Sequence, residues 1–289
     1  HPHCSALRKL LLPKADMNWS RRRMKALRTV RQGLAVAATG VAALAAAASA
    51  AQAGTLDYVH KRGVFEVCAS PDAMPFSQLR SSGGPIGLHI DLGEALAREL
   101  GVSAKFSFVN FRFEARQTSC DAFMSVGVLP NQEKGPIKQT VPVLQYDTLM
   151  VTKPDRKITR IDDLDGLKVA TQQGTLAHVT LLKRPVDIRV SLLREDDMLN
   201  AIDRGDIDVG IVTNFGYYWY LKNNPSKTFN VQAASIVQST TGYPMAIGLR
   251  KADDKILEAA NAAIGRLQKS GELVTILKKY GLESAAATP

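Results

Sequence analysis

The chain is poor in the residues that most often carry catalysis or hold a metal. Of its 289 residues, three are cysteine, five are histidine and two are tryptophan, and aromatics make up 6%. No C-x-x-C pair and no H-E-x-x-H run occurs, so the usual ligand spacings of a zinc site are missing. The histidines (His1, His3, His60, His89 and His178) are scattered along the chain. No G-x-S-x-G is present to form a nucleophile elbow. The glycines of Gly83-Gly84-Pro85-Ile86-Gly87 have the wrong spacing for a dinucleotide loop, and Pro85 removes an N–H. The acidic run from Asp162 to Gly166 fails as an EF-hand, because positions one and twelve would be Ile161 and Gln172. The expectation is a protein that is no enzyme, with no catalytic residues, no metal and no cofactor.

Charge is equally uneven. The chain carries 37 Lys and Arg against 27 Asp and Glu. Nine of the basic residues and one acid, Asp16, fall within residues 1–53, leaving 28 against 26 in the remainder. A net charge of +2 makes no phosphate-seeking field, so nucleic acid is excluded as a partner. The basic segment has its own logic. Arg21, Arg22, Arg23, Lys25, Arg28 and Arg31 precede an alanine-rich apolar stretch over residues 33–50, and Ala51-Gln52-Ala53 supplies small residues for cleavage. Alanine buries too little apolar area to favour a membrane anchor. Residues 1–53 therefore read as a cleaved leader or signal peptide, placing the mature protein outside the cytoplasm.

The mature part retains Cys68 and Cys120, each at the end of a run with strand character. An oxidising compartment lets such a pair join. If the two runs are neighbours, a disulfide would close a loop of about 50 residues and stabilise by about 4 kcal/mol in the chain-entropy model; the alternative is two separate thiols.

Periodicity then alternates strand and helix. A strand over residues 64–68 leads into a turn-rich loop, and Asp91 is read as the cap of a helix with apolar positions at Leu92, Ala95, Leu96 and Leu100. Strands follow over residues 105–109 and 121–126. The same grammar restarts with strands at 167–170, 188–192 and 207–212, and with helices at 176–183 and 196–202. Repeated βαβ units imply parallel sheet and two lobes, with ligand beyond the carboxyl ends of the strands.

Six phrases in order resemble one family. They are the 56–67 opening with its Pro75-Phe76 loop, Gly87-Leu88-His89-Ile90-Asp91-Leu92, Cys120-Asp121-Ala122, the run from Leu164 through Gln173-Gly174-Thr175, Gly205-Asp206-Ile207-Asp208, and the run from Gly271 to Gly281. Together they resemble the periplasmic solute-binding proteins of ABC importers, family 3, the amino-acid type. The resemblance implies an α/β, two-lobed periplasmic binding protein fold (type II), with two hinge crossings and a cleft between the lobes. Lobe 1 would be 54–149 plus 244–289, and lobe 2 would be 150–243. The implied function is capture of a small polar solute for the membrane permease of an ABC importer, by a monomer.

The ligand positions depart from the amino-acid pattern. Gln132 stands where the resemblance expects a carboxylate-gripping arginine, with Lys134 nearby, and Val212-Thr213-Asn214 lacks the aspartate expected to hold an ammonium. The candidate ligand-binding residues are accordingly Asp72, Phe76, Gln132, Gln173, Gly174, Thr175, Thr213 and Asn214. Of Tyr217, Tyr218, Trp219 and Tyr220, one is expected at the cleft and the rest in the core. Glu133, Asp147 and Glu195 are carboxylates that the sequence alone does not place. The segment from Val67 to Ser77, with Cys120-Asp121, is also similar to a branch associated with quinoprotein (methanol) dehydrogenases. That similarity implies an alternative role as accessory to a periplasmic dehydrogenase. A weaker alternative is an enzyme on the same fold, such as a dehydratase.

Overall fold

The computed structural model describes residues 54–128 and 136–287. The leader expected over residues 1–53 lies outside them. The first half of the fold opens with α1 (Leu56–Arg62), β1 (Val64–Ala69) and a two-stranded hairpin, β2 (Asp72–Ala73) and β3 (Ser77–Gln78). Next come α2 (Leu88–Glu99), β4 (Ser103–Phe108) and β5 (Ala122–Gly127). The long β6 (Ile137–Thr152) leads to β7 (Lys168–Ala170), α3 (Leu176–Leu181), β8 (Asp187–Arg189), α4 (Glu195–Arg204) and β9 (Val209–Thr213). The chain continues through α5 (Asn214–Asn223), β10 (Asn230–Ala233), β11 (Gly242–Arg250), α6 (Asp254–Lys269) and α7 (Glu272–Lys279).

The main sheet runs β4-β1-β5-β11-β6-β9-β7-β8, with β10 added on β6. The βαβ grammar is borne out at both ends. β1 pairs in parallel with β4 and β5, and β7 pairs in parallel with β8 and β9. Two antiparallel strands join these ends. β11 pairs with β5 and with the first part of β6, while residues 148–152 of β6 pair with β9 and residues 149–152 with β10.

Side-chain alternation sorts the core. Around the second parallel unit, Met150, Val169 and Ile211 face one layer with Ala177 and Leu181 of α3. Their sequence neighbours Val151, Ala170 and Val212 face the other, with Met198, Leu199 and Ile202 of α4 and Tyr217 and Tyr220 of α5. Burial on both faces is what a parallel sheet covered by helices requires. A separate, larger cluster gathers Phe65, Val67, Leu92, Leu96, Met124 and Ile247 with Ile264 and Leu267 of α6.

One local expectation changes. Asp91 does not cap α2, because the helix begins one turn earlier, at Leu88, with Gly87 as its N-cap. The Asp91 carboxylate instead accepts hydrogen bonds from Lys279 Nζ (2.7 Å) and the Tyr280 hydroxyl (2.8 Å), tying α2 to the C-terminal helix. Glu66 is a buried carboxylate within β1. Burial pushes its pKa up, but hydrogen bonds from Ser107 and Ser119, together with Lys105, outweigh this and hold it below the ordinary value. A buried charge persists only with such partners.

Cys68 and Cys120 are joined, with Cα atoms 5.5 Å apart and a sequence separation of 52. Parallel pairing of β1 with β5 brings the two runs together. The bond is packed with Val109 and Ala115 in a small buried cluster. The Cys68→Ala/Cys120→Ala double variant should lose about 4 kcal/mol of unfolding free energy by loop-closure entropy. Urea denaturation checks this, and a loss below about 1 kcal/mol would show that the loop is constrained by other means.

Candidate functional site

A cavity of about 390 Å³ opens where β6 and β11 meet the carboxyl ends of β7 and β9. Tyr146 and Thr148 of β6 and Tyr243 of β11 form one wall, with Gln238 and Thr240 from the loop before β11. Thr171, Gln172, Thr175 and Leu176, from the turn between β7 and α3, form a second wall. Ile211, Val212 and Thr213 of β9 and Glu195 of α4 complete the lining. Tyr146 and Tyr243 are register partners across the β6–β11 ladder, and their rings stack at 4.5 Å. The lining thus offers threonine hydroxyls, glutamine amides and two phenol rings on a surface that is mostly apolar.

Glu195 is the one charged side chain among the described lining residues. It is the first residue of α4, and its carboxylate reaches the start of α5. Thr213 N donates to Oε1 (2.6 Å), and the Thr213 hydroxyl donates to Oε2 (2.8 Å). The same hydroxyl accepts from Gly216 N (3.0 Å) as the N-cap of α5. Burial raises the Glu195 pKa, against the lowering effect of the Thr213 hydrogen bonds. Gly216 makes this arrangement possible, because a Cβ there would overlap the Glu195 carboxylate.

The sequence candidates divide. Thr175 and Thr213 line the cavity. Gln173 and Gly174 are exposed and are not among its lining residues, whereas the adjacent Gln172 is. Two N–H groups at this helix start are engaged locally: Gly174 N donates to His178 Nδ1 (3.2 Å) and His178 N to the Thr175 hydroxyl (3.2 Å). Asn214 is buried and spent on structure. Its Oδ1 accepts from Asp147 N (3.1 Å), and its Nδ2 donates to Gln145 O (2.8 Å), pinning α5 to β6. Gln132 lies outside the described residues.

Asp72 and Phe76 sit on the far side, on the β2–β3 hairpin and its turn. Asp72 is exposed and lies 3.8 Å from Arg194, the residue before Glu195, so an ion pair of small energetic weight links the hairpin to α4. Phe76 stacks on His89 at 4.9 Å and meets Phe215 edge-on at 5.0 Å. It borders a smaller cavity of about 170 Å³ that His89, Phe111 and Arg112 also line. Tyr217 and Tyr220 are core residues, and none of the four clustered aromatics lines the 390 Å³ cavity. The sequence reading missed Tyr146, Tyr243, Gln238 and Thr240, and it could not place Glu195. A tyrosine pair on two strands 97 positions apart has no local signature; only the strand register brings the rings together.

The chain matches the family of bacterial extracellular solute-binding proteins, family 3, over residues 65–283, and it belongs to that family. It is 24% identical over 254 residues to a probable histidine-binding protein of Neisseria gonorrhoeae, covering 86% of this chain and 91% of the relative. It is 27% identical over 270 residues to the L-cystine-binding protein TcyJ of Escherichia coli (strain K12), covering 89% and 97%. Among solved structures, the Ancestral Cationic Amino Acid Solute Binding Protein superposes with a TM-score of 0.65 at 24% identity, covering 78% of this chain and 98% of that one. The fold is therefore the two-lobed, type II periplasmic binding protein fold. None of these relatives is named as a dehydrogenase accessory, and that alternative gains no support from them. No helix among the described residues is long and apolar enough to cross a membrane.

His89 supplies a pH test of this half of the fold. Burial, with the nearby Arg112 charge, lowers its pKa to about 3. The unfolded imidazole takes up a proton near pH 6.5, so between those values unfolding binds one proton. The depressed value makes His89 cost stability increasingly as pH falls, by about 1.4 kcal/mol per pH unit within that window. Compared with His89→Leu, the wild type should lose this extra stability between pH 6 and pH 4.5 in urea titrations. Parallel pH profiles for the two proteins would show that His89 is protonated in the folded state.

Proposed function

We propose that the protein is an extracytoplasmic binder that captures a small polar solute of amino-acid size in the 390 Å³ cavity and presents it to the permease of an ABC importer. Lobe 1 is assigned to 54–149 plus 244–289 and lobe 2 to 150–243, with the two crossings in β6 and β11. The mature chain acts in the periplasm after removal of residues 1–53, as a monomer, and carries out no chemical step on its solute. The observation that carries this reading is the cavity's position. It lies against the two crossing strands and is lined by hydroxyls and amides from several elements, so a solute held there touches both the pivot and the second lobe. Support also comes from the relatives, whose names describe histidine-binding and cystine-binding proteins. Thr175 and Thr213 are assigned to the solute site, along with Gln172 of the same helix-start run and with Tyr146 and Tyr243, which the sequence reading had not selected.

The test is a thermal-shift screen of the mature chain, without refolding, against a broad panel of amino acids, amines, organic acids and sugars. A hit should be followed by calorimetry on Gln172→Ala and Thr175→Val. Each should bind about tenfold more weakly, as expected for one lost hydrogen bond worth about 1.4 kcal/mol. A protein that binds nothing in the panel, or variants that bind like the wild type, would overturn the reading.

A further inference from the structure

Phe111 and Phe113 stand in water, 62% and 63% exposed. Their rings stack on each other at 5.6 Å and within 5° of parallel, so each covers only one face of its neighbour. The short helical turn Arg112–Gln117, with Phe111 as its N-cap, joins β4 to β5 and is anchored from beneath. Ala115 is buried beside the Cys68–Cys120 disulfide, and its carbonyl accepts from Arg250 Nη2 (2.7 Å). An anchored turn that holds two large apolar rings outward marks an interaction surface rather than a fraying loop.

The fringe of this pair is cationic. Most arginines among the described residues pair with a carboxylate, but Arg80, Arg112 and Arg116 do not. All three are exposed, and Arg112 and Arg116 share the turn with the rings. Arg112 directs one nitrogen to Ser125 O (3.1 Å), and Arg80 is held by the carbonyls of Gly83 (2.8 Å) and Gly84 (3.1 Å). Ser77 of β3 lines the same small cavity as Phe111 and Arg112, and the chain runs on from β3 into exposed Leu79 and Arg80. The one acid of the turn, Glu114, accepts from Asn110 N (2.8 Å).

We infer that this aromatic and arginine face docks on an anionic phospholipid surface, bringing the mature chain reversibly to a membrane. Guanidinium groups match phosphate oxygens in both charge and geometry. Aromatic rings beside them enter the boundary between headgroups and acyl chains. A specific protein interface takes about 800 Å² from each partner, and two phenylalanines supply about half of that at most. A fluid bilayer requires no shape complementarity, so a small apolar patch with a cationic fringe suffices for weak adsorption. The inference stands apart from the solute-binding reading, and the failure of either leaves the other in place.

The mature chain would be sedimented with vesicles of phosphatidylglycerol and phosphatidylethanolamine, and with vesicles of phosphatidylcholine alone. The expected result is partition onto the anionic vesicles only, falling as salt is raised. The Phe111→Ser/Phe113→Ser variant and the Arg116→Glu variant should each partition at least tenfold more weakly. All three positions are exposed, so circular dichroism and the melting temperature should stay close to those of the wild type. In Phe113→Trp, anionic vesicles should shift the indole emission to the blue as the ring leaves water. Anionic binding that survives both variants would overturn the inference, as would an unshifted emission or a chain that binds neither vesicle. If soluble polyglutamate is bound through these residues and vesicles are not, the face belongs to an acidic polypeptide and the lipid assignment falls.

Discussion

Strands β6 and β11 exchange backbone hydrogen bonds along a ladder that runs from Ile137 opposite Arg250 to Asp147 opposite Gly242. Everything else in the fold hangs from this ladder. β5 attaches to its β11 side and brings the first parallel unit with it, whereas β9 and β10 attach where β6 continues past the ladder. Two register shifts on either side of Ala246 interrupt the ladder, the kind of irregularity that increases local twist. At the end of the ladder, Gly242 packs on Asp147, and a Cβ there would overlap the Asp147 carboxylate.

Much of this architecture was legible because it rests on local signals. The strands around residues 64–68 and 209–212 are apolar runs between turn residues, and the helix ending at Gly205 has a clear apolar stripe. Helix α2 was misjudged at its start because Asp91 looks like a cap from sequence alone. The local preference of an aspartate for an N-cap was overridden by tertiary partners, Lys279 and Tyr280, nearly 190 residues away. The disulfide was open in the sequence, since two cysteines at strand ends pair only if their strands are neighbours, and the β1–β5 pairing supplies that condition.

The site was less legible, for a different physical reason. Asn214 and Thr213 are adjacent at a strand-to-helix junction, and sequence reasoning treats them alike. The turn sends them apart: Thr213 faces the cavity and Glu195, while Asn214 binds the β6 backbone. A one-residue step at such a junction decides between binding surface and scaffold. Glu195 escaped placement because its position depends on α4 and α5 converging, and on a glycine one turn into α5 that makes room for it.

In the solute-binding reading, the same geometry ties occupancy to lobe movement. Tyr146 and Tyr243 form a cross-strand aromatic pair within the β6–β11 ladder, to which that reading assigns both crossings. Thr213 and Glu195, by contrast, belong to elements of the second parallel unit. A solute spanning the cavity therefore leans on the pivot with one side and on the second lobe with the other. Any change in the angle between the lobes alters both contacts at once. In the solute-binding reading, a ligand makes its full set of interactions at one lobe angle and fewer at others. It shifts the population toward that angle by the difference in interaction energy, with no separate closing device required.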